Sequence, residues 1–143
     1  MLGRGFKVLV LALVVCGAAS AAKVTVSGAW MRALPAHLPA AGYFTAHNGG
    51  KNDVDITGAQ SLACGMLMLH LSSNDKGIGS MVDVPKVTVP AGGEVKFAPG
   101  GYHLMCMNPK PSVRPGKTIP VALQFSDGTS LVVRFAVRNA RGR

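Results

Sequence analysis

The chain has 143 residues, 48% of them hydrophobic, and a formal net charge of +9. This length fits a single domain with a substantial core. The basic residues are scattered and no aromatic residues interleave with them, which excludes a nucleic-acid-binding surface. Only six residues are acidic, and no nucleophile–base pair or glycine-rich phosphate loop is present, so we do not expect an enzyme.

Residues 1–22 predict a secretory signal peptide, with basic Arg4 and Lys7 followed by an apolar run and then small residues. Cleavage there leaves residues 23–143 as one domain with a charge of 9 − 2 = +7. We therefore expect a periplasmic protein without a further membrane span. A lipoprotein signal ending at Cys16 is the less favoured alternative, because a bulky valine precedes the cysteine.

Short β-segments separated by Gly, Pro, Asn and Asp follow in chain order, and no window carries a helical stripe with caps. Many short strands at close spacing indicate an antiparallel β-sandwich or barrel. The predicted strands before the last hairpin are Val24–Ser27, Gly42–His47, Val54–Thr57, Met66–Leu71, Val87–Val89, Glu94–Phe97 and Tyr102–Met107.

The clearest hairpin closes the chain. Residues 118–125 and 131–138 alternate between apolar and other side chains, and Asp127-Gly128 supplies the turn between them. Pro120 cannot donate to a strand ladder, so its strand is predicted to start at a sheet edge.

One strand-like segment carries an unusual set of side chains. Because successive residues of a strand point to opposite faces, His103, Met105 and Met107 share one face, and Leu104 and Cys106 face the other way. Two residues on the same face are about 6.6–7 Å apart along a strand, close enough for the tips of His103 and Met105 to meet at one ion.

Further donors lie upstream. If residues 64–70 form one strand, Cys64, Met66, Met68 and His70 share a face. Met81 follows in a segment whose Ser, Asn, Asp and Gly content predicts a mobile loop, with Gly77 and Gly79 as hinges. The resulting order is His, ten residues, Met, twenty-one residues, His, one residue, Met.

The chemistry of this set is selective. Thioethers with imidazoles favour Cu(I) over zinc, calcium or magnesium. The absence of carboxylates among the candidates argues against Ca²⁺. A blue-copper site would need a cysteine ligand, and Cys106 has the wrong strand parity to join His103 and Met105.

The remaining sulfur residues allow several interpretations. Met66 and Met68 are predicted to pack in the core, with an access route for metal as the alternative. Met107 is either an outer ligand or packing at the rim. Cys64 and Cys106 form a disulfide, remain a buried pair or assist with metal, since sequence spacing alone does not set their geometry.

The spacing of the donors resembles the copper-binding signature of the PCu(A)C-type periplasmic copper chaperones. The segments VSGAWMRALPAHLPAAGYFTAHNGG (26–50) and VTVPAGGEVKFAPGGYHLMCM (87–107) are also similar to that family. The resemblance implies a cupredoxin-like antiparallel β-sandwich with Cu(I) held near the surface at one end. The copper ligands it implies are His70, Met81, His103 and Met105.

The same resemblance implies partners. These chaperones hand Cu(I) to the dinuclear copper centre of cytochrome c oxidase, often beside a thioredoxin-like Sco protein, and we expect a monomer. The segment HLSSNDKGIGSM (70–81) departs from the family, which usually has Glu-Thr after the first histidine and a Met-bearing acidic loop. Copper storage or tolerance, copper redox chemistry, and a scaffold with incidental His and Met residues are the alternative functions.

Overall fold

The computed structural model describes residues 23–75 and 78–143, so the predicted signal peptide lies outside it. Over these residues the chain forms strands and one 3₁₀ turn, Pro35–His37. None of the helical segments in this part of the chain is long and apolar enough to cross a bilayer. The strands are β1 (Val24–Arg32), β2 (Ala40–Asn48), β3 (Val54–Gln60), β4 (Cys64–Asp75), β5 (Ile78–Asp83), β6 (Val87–Val89), β7 (Glu94–Phe97), β8 (Tyr102–Pro109), β9 (Thr118–Phe125) and β10 (Ser130–Arg138).

The strands form one hydrogen-bonded path in the order β5-β4-β8-β2-β1-β10-β9-β3-β6, and β7 pairs with β2. All pairs are antiparallel except β1 and β10, which run parallel with Trp30 opposite Ala136. Buried side chains from both halves of the path form one core cluster. The predicted all-β, sandwich-like architecture is confirmed, with one parallel pair within it.

Aromatic side chains join β2 to the strands around it. Phe44 stacks on Phe97 with ring centroids 4.3 Å apart and meets the ring of Phe135 edge-on at 5.9 Å. A Cβ on Gly42 would lie 3.3 Å from both Leu104 and Phe135. Glycine at this position therefore lets β2 pass close to its neighbours at the centre of the core.

A bulge in β1 decides which side chains border the outer face. The register against β2 shifts by one residue between Ser27 and Trp30, where Gly28 adopts a φ of +62°. Glycine takes this conformation without steric cost. Beyond the bulge Met31 is fully buried, and its neighbours Trp30 and Arg32 point the other way and are half-buried.

The predicted strands are all present, and those ending at Val89, Phe97 and Phe125 have the predicted bounds. Pro120 pairs with Arg134 of β10, and the β3 ladder ends at Ala122. The proline thus lies where β9 has only one ladder neighbour, as expected at an edge.

The prediction of a loop around Met81 was wrong. Residues 78–83 form β5, which pairs with an extension of β4 from His70 to Asp75. Polar and glycine-rich composition hid this pairing, because a solvent-exposed hairpin needs no apolar alternation. Ser73 and Ser80 instead join the strands with hydroxyl oxygens 2.8 Å apart. Gly77, one of the two predicted hinges, lies outside the described residues.

Candidate metal centre

The β4–β8 ladder brings the two histidines into contact. His70 lies directly opposite His103, and their ring centroids are 5.6 Å apart with the ring planes at 76°. Leu104, the neighbour of His103, is fully buried on the inner face. The histidine pair therefore lies on the outer face of this ladder, as strand alternation predicts.

His103 is held in one tautomer. Its Nδ1 lies 3.1 Å from the carbonyl oxygen of Gly101, which can only accept a hydrogen bond, so Nδ1 carries the proton. Nε2 then has a free lone pair, and this buried atom has no hydrogen-bond partner in the structure. An imidazole that donates one N–H to a backbone carbonyl and leaves the other nitrogen bare has the arrangement typical of a metal ligand.

Burial keeps this imidazole neutral. Desolvation lowers the pKa of His103 below its ordinary value of 6.5, and the nearby His70 lowers it further. The hydrogen bond to Gly101 opposes the shift but does not cancel it. At neutral pH the His103 side chain is therefore deprotonated at Nε2, the form that binds metals.

His70 meets an acidic residue that the sequence reasoning missed. Its Nε2 lies 2.6 Å from an Asp83 carboxylate oxygen, on the strand opposite. The approach is close but not aligned as a hydrogen bond, so both ring nitrogens of His70 lack an aligned partner. The side chain of His70 is 12% exposed and that of Asp83 is 77% exposed. Only the unpredicted β4–β5 pairing brings Asp83 to this point.

The two predicted methionine ligands lie on either side of the histidine pair. Met105 follows His103 by two residues on the same face and is opposite Met68. Met81 lies on the other side of the histidine pair. It is opposite Ser72, which follows His70 by two residues, and it is 58% exposed. The structure thus places all four predicted ligands on one outer face, with the histidines in contact, Met105 beside them and Met81 on the edge strand β5.

The outer face continues with more thioethers. Met66 lies opposite Met107, one step beyond the pair formed by Met68 and Met105. Met66 is 57% exposed, so the prediction that it packs in the core was wrong. Met68, Met105 and Met107 are half-buried. The alternation places these side chains outside, because the inner positions of the same strands are already filled.

Both cysteines of the described residues are in a disulfide. Cys64 is joined to Cys106 with their Cα atoms 5.4 Å apart, and both are buried. Cys64 therefore leaves the face it was predicted to share with Met66. On the facing strand, Asn108 adopts a φ of +48°, which is not a strand conformation. No thiol of the described residues is available to a metal.

The donor types available narrow the chemistry. Over residues 23–75 and 78–143, no group of three or more His, Cys, Asp or Glu side chains is arranged to hold a metal ion. Beside the histidine pair, the outer face offers the thioethers of Met105 and Met81 as further donors. Such a mixed nitrogen–sulfur set suits a soft ion.

A cationic and aromatic cluster borders the histidine pair. Tyr43 lies 6.5 Å from the His103 ring and 4.9 Å from that of Trp30, measured between centroids. The Arg32 guanidinium lies over both rings, at 5.3 Å from Trp30 and 5.4 Å from Tyr43, and Arg138 lies 5.1 Å over Trp30. Burial raises the pKa of Tyr43 and the Arg32 charge opposes this, so its hydroxyl stays neutral.

Fold and geometry together define a β-sandwich that presents imidazoles and thioethers on one outer face. The family model described as "Putative lipoprotein LpqE-like" matches residues 24–137. The chain belongs to this LpqE-like family. It is also 34% identical over 120 residues to "Putative lipoprotein Lxx21020" of Leifsonia xyli subsp. xyli, covering 83% of this chain and 72% of that protein.

Two solved structures have a similar fold, and one of them is a PCuAC domain, the type of domain that the sequence resembles. A copper-bound PCuAC domain from PmoF2 superposes with a TM-score of 0.69, at 19% identity, over 82% of this chain and 93% of that one. The Cu(I) form of DR1885 from Deinococcus radiodurans matches with a TM-score of 0.66, at 28% identity, over 86% of this chain and 83% of that one. The resemblance to the PCu(A)C-type copper chaperones is confirmed.

Proposed function

We propose that this protein is a metallochaperone that carries Cu(I) on the outer face of the β4–β8 ladder. Its ligands are His70, Met81, His103 and Met105. The observation that carries the proposal is His103, whose hydrogen bond to Gly101 leaves a bare, buried Nε2 beside His70. A buried polar atom without a partner destabilises the folded protein, and a bound metal ion would remove this penalty.

The donor set supports Cu(I) as the cargo. Two neutral imidazoles and two thioethers are soft, uncharged ligands that suit a monovalent soft ion. Solved relatives of the same fold are described as a copper-bound PCuAC domain and as a Cu(I) form. An electron-transfer role is disfavoured, because a blue-copper site needs a cysteine thiolate and both described cysteines are in the disulfide.

Loading and release follow from where the ligands lie. Asp83 lies close to His70 Nε2, and a carboxylate is a hard donor that does not suit Cu(I), so binding moves it aside. Met81 is exposed on the edge strand β5 and is the ligand that a partner reaches first. The partner's donors then replace those of the chaperone one at a time, and copper stays out of water throughout.

The recipient we propose is the copper-binding subunit of cytochrome c oxidase, reached directly or through a Sco-like protein with a thioredoxin fold. This assignment rests on the family resemblance. Its test is transfer from the Cu(I)-loaded protein to the purified recipient domain, followed by the absorption of the recipient's copper centre. Storage or tolerance predicts binding without transfer.

We also propose that the protein acts after export, in the periplasm. The names of the matching family model and of the Leifsonia relative include the word lipoprotein, so attachment through Cys16 is the alternative to the cleavage near residue 22 that the valine before Cys16 favours. The mass of the mature protein from membrane and soluble fractions distinguishes the two. A diacylated N-terminus at Cys16 supports anchoring, and a start near Lys23 supports the soluble form.

A Cu(I) titration against a strong chelator tests the ligand set. Ascorbate under anaerobic conditions keeps copper reduced and, unlike a thiol, neither competes for Cu(I) nor opens the disulfide. We expect His103→Ala and Met81→Leu to weaken binding, the histidine variant more. His47→Ala, a change at an exposed histidine away from the ladder, is the matched control. Wild-type affinity in both ligand variants would refute the assignment.

A further inference from the structure

Three methionines on the outer face have no part in the proposed copper site. Met66 and Met107 are directly opposite on the β4–β8 ladder, and Met68 is two residues from Met66 on the same face. Directly opposite residues have Cβ atoms about 4.5–5.5 Å apart, and diagonal ones are within reach of long side chains. The three flexible thioethers therefore form a triangle on one surface.

Core packing does not account for this triangle of methionines. Met66 is 57% exposed and its two partners are half-buried, so none of the three fills the core. The inner positions between them hold Leu67 and Cys106, which belong to the core or pack against it. Thioethers have no N–H or O–H group to donate to water. Three neighbouring thioether sulfurs can, however, bind one soft cation as ligands.

We propose that Met66, Met68 and Met107 form a second Cu(I) site, made of thioethers alone. It adjoins the first site because Met68 lies opposite Met105. Met105 thus adjoins both sites in the ladder and links them. As a binding site this triangle does not depend on the proposed function; as a transfer route into the histidine site it rests on it.

The two sites differ in strength for a chemical reason. The first combines two imidazoles, one of them fixed in the metal-binding tautomer, with thioethers. The second has neutral sulfur donors on an open surface, and we expect it to bind Cu(I) at least about tenfold more weakly. Weak, exposed binding beside a stronger site would let copper enter by the triangle and settle on the histidines without a change of oxidation state.

The test is a Cu(I) titration of protein labelled with ¹³C in the methionine methyl groups, in ascorbate without oxygen. The chain has seven methionines, so each signal can be assigned by substitution. The first equivalent should shift the Met81 and Met105 signals, and the second those of Met66, Met68 and Met107. Ag(I), which is redox-inert, should reproduce the order.

Matched variants separate the two sites. Met66→Leu with Met107→Leu should abolish the second step and leave the first, and both changes are conservative in volume on a partly exposed surface. His70→Ala with His103→Ala should weaken the first step and leave the second. Met31→Leu makes the same chemical change at a fully buried position of β1 and should alter neither binding step.

Two outcomes are decisive. If the second equivalent moves none of the three signals, or the Met66/Met107 double variant titrates as wild type, the second site is refuted. If instead the first step is missing in the wild type while the second remains, the proposed function fails and the thioether site stands.

Discussion

The two faces of the β4–β8 ladder have different tasks on the same backbone. The inner face carries Leu69, Leu104 and Cys106, all buried in the core. The outer face carries the histidine pair and four methionines, of which Met66 is exposed and the other three are half-buried. Successive pairs of opposite residues alternate between the two faces, so core packing on the inner face fixes the register that brings His70 to His103. Stability inside thus sets geometry outside.

Removing the disulfide is expected to have the largest effect, and it should act on stability. Cys64→Ala with Cys106→Ala opens a loop between residues 42 positions apart, which in the chain-entropy model costs about 4 kcal/mol of unfolding free energy. Urea denaturation measures this loss. Copper affinity of the folded variant should stay near wild type, and a simultaneous collapse of affinity would mean that the two faces are not separable.

A pair of neighbouring substitutions tests the separation more finely. Leu104→Ala removes a fully buried side chain and should cost about 2–5 kcal/mol of stability. Met105→Leu, at the next position, should cost less than about 1.5 kcal/mol, because the volume is conserved. The effects on Cu(I) affinity should be reversed, with Met105→Leu the weaker binder. Equal effects of both changes on both properties would contradict the assignment of faces.

Asp83→Asn should change copper binding modestly. The contact of His70 with the exposed Asp83 carboxylate contributes at most about 1 kcal/mol, as in surface pairs, so its removal should tighten Cu(I) binding by up to about fivefold. The chelator titration measures it, with Asp53→Asn as a control at an acidic residue off this ladder. A loss of affinity would show instead that Asp83 orients His70 for the metal.

The smallest expected effect is the pH dependence of the copper-free protein. Burial lowers the pKa of His103 below 6.5. At pH values between this lowered pKa and 6.5, the unfolded chain binds more protons than the folded one. The contribution of His103 to the free energy of unfolding is fully present above pH 6.5 and is lost as pH falls through the lowered pKa. The slope of this loss corresponds to less than one bound proton. Urea titrations from pH 7.5 to 5 should show a shallower decline in His103→Gln than in His47→Gln. Equal slopes would mean that His103 titrates normally.

The outer face could largely be predicted from the sequence, because alternation alone sorts His103 and Met105 from Leu104 and Cys106. The β9–β10 hairpin was equally accessible, since its strands alternate strictly and a Gly follows Asp in the turn. Both patterns are local, so they can be recognised without knowing the neighbours of a strand.

Long-range pairing was not accessible in the same way. The β4–β5 hairpin has no apolar alternation, and without it neither the strand at Met81 nor the contact of Asp83 with His70 could be foreseen. The exposure of Met66 depends on which strand covers which face. The disulfide required Cys64 to turn inward at the end of a ladder, which parity alone predicts wrongly.

X-ray absorption of the protein loaded with one equivalent of Cu(I) tests the central claim most directly, because it reads the atoms bound to copper. We predict a copper(I) edge and a first shell of two nitrogen and two sulfur scatterers, with nitrogen lost in His70→Ala and His103→Ala. A first shell without imidazole nitrogen, or one without sulfur, would contradict the proposal that the histidine pair and its flanking thioethers hold the metal.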